Sequence, residues 1–456
     1  MRIITAALLL AGAASAQQPA RDLARQCLKE LVEINTTDSV GDNTRAAEAV
    51  ARRLKAAGFP DSDVEVMAPA PQKGNVVARL RGSGHGKPVL FIGHIDVVEA
   101  RREDWSFDPF TLIEKDGFFY GRGTLDMKGD ASLMVANFVR LEQEGYRPSR
   151  DVILALTADE EGGRGPNGIA WLLANRRELI DAEFAINADA GGGLVKNGAR
   201  QYYAVQAAEK GYASFKLRAT NAGGHSSLPV PQNAIYQLSE ALVRVRDLKF
   251  PVRLNAVTKS YFERMGTIEK GQTAADMTAI ASGTADAAAE ERLSAVPFYN
   301  ALLRTTCVAT MLSGGHADNA LPQSAEATVN CRLAPDEPLE NVRQALSRAV
   351  AGLPIELTPP SRYPPNPASP IPPDLMTTVE RVARASWPGI PVIPVMETGG
   401  TDGKALRGAG MPTYGASAIF VDMDDIRAHG RDERISVQYF YDGLDYNYRL
   451  IRALGN

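Results

Sequence analysis

Several short segments end an apolar run in groups able to hold or move charge. "VLFIGHIDVV" delivers His94 and Asp96, "VILALTADEEGG" delivers Asp159, Glu160 and Glu161, and "AEFAINAD" delivers Asp189. A further acid, Asp126, stands in "GRGTLDMKGD", just ahead of a helical pattern. Adjacent like charges such as Glu160 and Glu161 repel, and carboxylates gathered away from water need compensation, because buried unpaired charge is very costly. Protons could supply it, as in two carboxylates sharing one proton. Metal ions could supply more. Histidine with carboxylates favours zinc or a similar divalent ion, and several acids with histidine suit two ions ~3.5–4 Å apart that share a carboxylate. One of the paired glutamates could then bind metal while its neighbour stays free as a general base.

The elements that must position these groups are legible as patterns. The apolar runs read as strands buried on both faces. They alternate with helical patterns over 126–145 and 168–179. That alternation predicts an α/β domain with a doubly wound, mixed-parallel sheet. Ligands of such sheets bind beyond the carboxyl ends of the strands, where His94, Asp126, Glu160, Glu161 and Asp189 would converge. Residues 20–58 also read as helical, with Gly58 as a stop signal.

From about residue 210 the texture changes. "YASFKLRAT" alternates like a strand with one wet face. A helix is expected at about 233–247, then an irregular Ala-rich stretch to about 302, the strands "TTCVATML" and "EATVNCRL", and a helix near 339–351. Pro-rich "LPIELTPPSRYPPNPASPIPPD" reads as a linker. Helix, short strand and a final helix follow. The expected organisation is a catalytic domain over 17–209 and 363–456, interrupted by an α+β unit over 210–362.

With 45% hydrophobic and 23% charged residues, the chain has ample material for a core. A net charge of −4 and no long basic run argue against nucleic acid as a partner. "MRIITAALLLAGAASAQQPA" carries one Arg, an apolar run too short for a bilayer, and Ala-Ser-Ala. It reads as a signal peptide, residues 1–16, cleaved after Ala16. The expectation is an exported protein, periplasmic or secreted, with no membrane span. Cys307 and Cys331 fall in two β-like runs, leaving a disulfide or two buried thiols equally open. No G-x-S-x-G elbow is present. "GSGHGKP" has the wrong spacing for a phosphate loop, and "GRGTLD" lacks the third glycine of a dinucleotide site.

Taken in order, "GHIDVV", "GRGTLDMKGD", "TADEEGG", "NADAGG", "AGGHSSLP" and "TGGTDG" resemble the M20 family of metallopeptidases and amidohydrolases, the group of aminoacylase-1, glutamate carboxypeptidase and succinyl-diaminopimelate desuccinylase. The resemblance spans essentially the whole mature chain. It implies that His94 and Asp189 bind a first metal, that Glu161 and His429 bind a second, and that Asp126 bridges them. Asp96 would orient His94, and Glu160 would be the general base. It further implies a cis Asp126–Met127 bond. The inserted unit would be a ferredoxin-like lid or dimerisation domain whose His225 stabilises the oxyanion. Asn319, Arg332, Gly399, Gly400 and Thr401 would contact a substrate ending in a carboxylate. The implied cofactors are two divalent ions, zinc by default with cobalt or manganese as alternatives. The implied activity is amide hydrolysis of a small peptide or N-acyl amino acid by a homodimer. The alternative from another class is a non-catalytic peptide- or amino-acid-binding protein on the same fold.

Overall fold

The computed structural model describes residues 2–456, with side chains from residue 18 onward. The expected signal peptide, 1–16, lies outside the residues whose side chains are described. Among the described residues no helix is long and apolar enough to cross a membrane. The chain divides into two compact units. The first comprises Met1–Ala207, Ser369–Val395 and Thr401–Asn456, and the second Ala208–Ala368 with Met396–Gly400.

The first unit is built on a mixed sheet of ten strands. Its centre is parallel. The strand Val89–His94 lies between Val152–Thr157 and Phe184–Asn187, and Thr413–Gly415 continues the same direction. Antiparallel strands flank this core, Asn75–Leu80 beside Val152–Thr157 and Ala199–Glu209 beside Thr413–Gly415. Every residue of Val89–His94 and Val152–Thr157 is buried, which accounts for their unbroken apolar sequence.

Helices cover both faces of this sheet. Leu90, Ile92, Ile153 and Ala155 pack with Ile169, Leu172 and Leu406 of two short helices. Alternate residues point the other way. There Gly93 admits Met127 and Met134 so closely that a Cβ would lie 2.5 Å from the Met127 methyl. Parallel direction therefore delivers His94, the turn after Thr157 and the turn after Asn187 to one edge of the sheet.

The second unit runs strand Gly211–Thr220, helix Ala234–Asp247, strands Thr306–Gly314 and Ser324–Leu333, helix Leu339–Ala349, and strand Ile355–Thr358. In the sheet these strands are ordered second, third, first, fourth, the ferredoxin-like split arrangement. Ala213, Phe215, Leu217 and Ala219 face a core shared with Leu238, Val329 and Leu346. Cys307 and Cys331 sit opposite one another in register and form a disulfide.

Three expectations need correction. The stretch taken as irregular holds four helices, Ala256–Ile268, Gly271–Ser282, Ala287–Ser294 and Pro297–Leu303. The Pro-rich segment is not linker throughout, since Ile355–Thr358, between Pro354 and Pro359, pairs with Lys216–Ala219. The helical reading of 20–58 breaks at Ile34–Asp42, where Asp42 caps a separate helix, Asn43–Ala57.

Candidate metal centre

His94 ends its strand fully enclosed, at 1% exposure. Its Nδ1 lies 3.1 Å from the Asp96 carbonyl oxygen and 3.5 Å from the Asp96 carboxylate. Two acceptors on that side place the ring proton on Nδ1 and present Nε2. That nitrogen lies 3.1 Å from Asp126 Oδ1 and 3.4 Å from Asp189 Oδ1. Asp96 also accepts the backbone N–H groups of Glu160, at 3.2 Å, and Glu161, at 2.9 Å. One buried carboxylate thus orients both the imidazole and the turn that carries the paired glutamates.

That turn begins at Asp159, in the left-handed region at φ +67°. Aspartate tolerates this conformation better than most residues. Its carboxylate is anchored by Lys73 Nζ at 2.5 Å and the Gly165 N–H at 2.7 Å. Asp126 stands before the helix Lys128–Gln143, and its bond to Met127 is cis. His429 arrives from the C-terminal part of the chain, at φ +61°. Its Nε2 lies 2.7 Å from Glu161 Oε1 and 3.1 Å from Asp126 Oδ2.

These contacts define overlapping donor sets. His94, Asp126 and Asp189 form one, and Asp126, Glu161 and His429 another, each with ligand atoms within 4.8 Å of one another. Asp126 belongs to both. Glu160 forms a third set with His94 and Glu161, so it sits within reach of the same centre.

The charges of the cluster press toward added positive charge. Among the described residues the ion-pair partners of Asp126, Asp189 and Glu161 are His94 and His429 alone. Burial opposes charge on His94, yet Asp189, Asp126 and Asp96 raise its pKa well above the ordinary value. Hydrogen bonds to Asp126 and Glu161 push His429 up to about 10. Burial pushes Glu160 up to about 9 and Asp189 to about 7, with neighbouring carboxylates adding to both. Asp126, despite its burial, is held below the carboxylate range by the two imidazoles. Raised proton affinity across the cluster marks a demand for counter-charge that bound protons would meet. A divalent ion can replace them, and the mixed imidazole and carboxylate donors fit zinc or a similar ion.

The other candidate residues stand in the second unit or at its boundary. His225 is exposed, and its Nδ1 accepts the Ser227 N–H at 3.2 Å and contacts Ser227 Oγ at 2.7 Å. A backbone N–H only donates, so the neutral ring carries its proton on Nε2. His225 pairs with Ala320, and Ser226 donates to the Asn319 carbonyl, which brings His225 and Asn319 together. Arg332 lies over the ring of its cross-strand neighbour Tyr212, 4.9 Å from the centroid. Gly399 and Gly400 follow the strand Val392–Glu397, and the space around Gly399 is open. Thr401 Oγ1 accepts from Asn187 Nδ2 at 3.0 Å and from the Gly403 N–H at 3.1 Å.

Sequence reading passed over Asp402 and Glu433. Asp402 is a buried carboxylate accepting from Thr157 Oγ1 at 3.0 Å and Asn167 Nδ2 at 2.6 Å. It lies in the same "TGGTDG" as the glycines, which was its one available signal. Glu433 is fully buried and holds the backbone of the Asp126 loop. In "AHGRDERIS" nothing in the local pattern sets it apart from the charged residues around it.

Residues 90–453 match the model of "Peptidase family M20/M25/M40". The N-fatty-acyl-amino acid synthase/hydrolase PM20D1 of Xenopus tropicalis is 29% identical over 368 residues, covering 78% of this chain and 71% of the relative. A probable succinyl-diaminopimelate desuccinylase of Staphylococcus aureus is 28% identical over 404 residues, covering 84% and 87%. In fold the chain is similar to an M20 family metallo-carboxypeptidase of Sulfolobus solfataricus, with a TM-score of 0.71 at 16% identity over 95% of this chain and 99% of that one. It is also similar to the YXEP protein of Bacillus subtilis, a dinuclear metal-binding peptidase, with a TM-score of 0.61 at 12% identity over 96% and 99%.

Proposed function

Because the chain belongs to peptidase family M20/M25/M40, we propose that it is a two-metal amide hydrolase acting on small substrates that end in a carboxylate. The observation that carries this reading is the sharing of Asp126 between two donor sets with Glu160 beside them. Ions held by His94, Asp126 and Asp189, and by Asp126, Glu161 and His429, would supply Lewis acidity toward a water molecule and the scissile carbonyl. Zinc is the default for such donors, with cobalt or manganese as substitutes.

The chain's own residues do the rest. Asp96 fixes the tautomer of His94 and the backbone of the Glu160 turn. Glu160 takes the proton of the attacking water and passes it to the leaving nitrogen. Its enclosure raises its affinity for a proton, which suits holding the one it takes, and the positive charge of ions bound beside it would favour the ionised form that takes it. The Nε2–H of His225 donates to the oxyanion, from this chain or a partner copy. Gly399, Gly400 and Thr401 receive the substrate carboxylate, with Asn319 and Arg332 as further contacts.

N-acyl amino acids are the first substrate class, supported by the fatty-acyl-amino acid relatives. Small peptides are the second. Export after cleavage near Ala16 is supported by the Cys307–Cys331 disulfide, since such bonds persist in oxidising compartments. Homodimerisation is supported by the edge strand Thr306–Gly314, which exposes Val308, Met311 and Leu312. The test is a panel of N-acyl amino acids and dipeptides beside their C-terminal amides. Release of free amino acid from the acids and not from the amides is expected. Equal hydrolysis of the amides would contradict carboxylate recognition.

A further inference from the structure

Glu433 and Arg122 form an ion pair that is entirely enclosed, yet neither belongs to the donor sets. Glu433 Oε1 accepts the N–H groups of Leu125 at 2.7 Å and Asp126 at 3.0 Å. Its Oε2 accepts the Gly123 N–H at 3.0 Å and Arg122 Nη1 at 2.6 Å. One side chain therefore fixes three backbone groups of the loop that ends in Asp126. The second guanidinium nitrogen of Arg122 reaches the carbonyls of His429 and Glu99, each at 3.4 Å, and the guanidinium faces the Trp105 ring at 5.0 Å from its centroid. Backbone pairing reinforces the link, with the Gly121 N–H donating to the Glu433 carbonyl and Arg434–Ser436 pairing with Phe118–Tyr120.

We infer that the Arg122–Glu433 pair positions Asp126 and His429 relative to one another, and so sets the metal affinity of the Asp126, Glu161 and His429 site. Two ligands of that site come from chain segments about 300 residues apart, joined through this pair. The site of His94, Asp126 and Asp189 depends on it less, because His94 and Asp189 stand at the ends of adjacent parallel strands. Glutamine has the shape of glutamate but turns one acceptor into a donor. In Glu433→Gln that donor faces either the guanidinium or the loop N–H groups. The Arg122→Lys variant keeps the charge and loses the fork that spans Glu433 and the His429 carbonyl. Both are positioning residues, acting on the metal through the ligands they hold.

This inference rests on the two-metal reading, so wild-type protein is the reference. Chelator-stripped wild type, E433Q and R122K are titrated with cobalt(II), following heat and the visible spectrum, with the melting temperature of each stripped protein recorded. The wild type is expected to take two ions. In both variants one ion, that of the Asp126, Glu161 and His429 site, loses about 10–100-fold in affinity, with an altered spectrum for that ion, while the other ion binds as before. Wild-type affinities for both ions, accompanied only by a lower melting temperature, would mean a purely structural pair and overturn the inference. Equal weakening of both ions would overturn its site selectivity. A wild type that takes no ion would instead overturn the two-metal reading. If E433Q does not fold, R122K alone decides.

Discussion

The imidazole Nε2 of His429 lies 2.7 Å from Glu161 Oε1, although 268 residues separate them in sequence. That contact closes the donor set of Asp126, Glu161 and His429, and leaves the set of His94, Asp126 and Asp189 complete without it. His429→Ala should therefore lower bound metal from about two ions to one per chain. Elemental analysis after dialysis measures it. Two tightly held ions in H429A would remove His429 from the ligand set.

Glu160 is assigned proton transfer, not metal binding. Glu160→Ala should lower kcat on the order of hundredfold or more while both ions stay bound. Turnover and metal content are measured on the same preparation. Loss of an ion together with activity would make Glu160 a ligand, a role its proximity to His94 and Glu161 would allow.

His225 is exposed and lies outside both cores, so His225→Ala should fold with an unchanged melting temperature. Loss of its Nε2–H donor should cost on the order of hundredfold in kcat with a smaller change in KM. A variant with wild-type kcat would show that the oxyanion is held by other groups.

Asp130 offers a pH test independent of metal. It is buried, accepts the Ala418 N–H at 2.8 Å and pairs with Ser417 Oγ at 2.7 Å. Burial pushes its carboxyl up to about 7 from an ordinary 3.8. The folded protein thus holds a proton between about pH 4 and 7 that the unfolded chain has released. This stabilisation is full below pH 4 and is lost as pH rises through 7. Asp130→Asn keeps both contacts, with the amide donating to the Ser417 hydroxyl, and carries no charge at any pH. Its melting temperature relative to wild type should climb from pH 4 to 8. A flat difference would mean that Asp130 does not titrate in that window.

Much of the catalytic sheet was legible because its central strands are buried on both faces. Val89–His94, Val152–Thr157 and Phe184–Asn187 leave a continuous apolar record, and their parallel direction explains why His94, Glu160, Glu161 and Asp189 meet. The eleven-residue strand Ala199–Glu209 was not legible. Its exposed start and buried remainder give neither alternation nor a clean apolar run. Of the four helices between Ala256 and Leu303, the last two have only eight and seven residues, Gly266 lies inside the first and Gly283 caps the second. Glu433 and Asp402 were missed for a different reason. Their partners are backbone N–H groups and side chains hundreds of residues away, which no local spacing encodes.

The proposed amide hydrolysis is powered by metal ions shared through Asp126. It is tested most directly by counting metal per purified chain and following amino-acid release from an N-acyl amino acid with and without chelator. About two ions per chain are expected, with release abolished by chelator and activity restored by zinc or cobalt. Hydrolysis that persists in metal-free protein would contradict it.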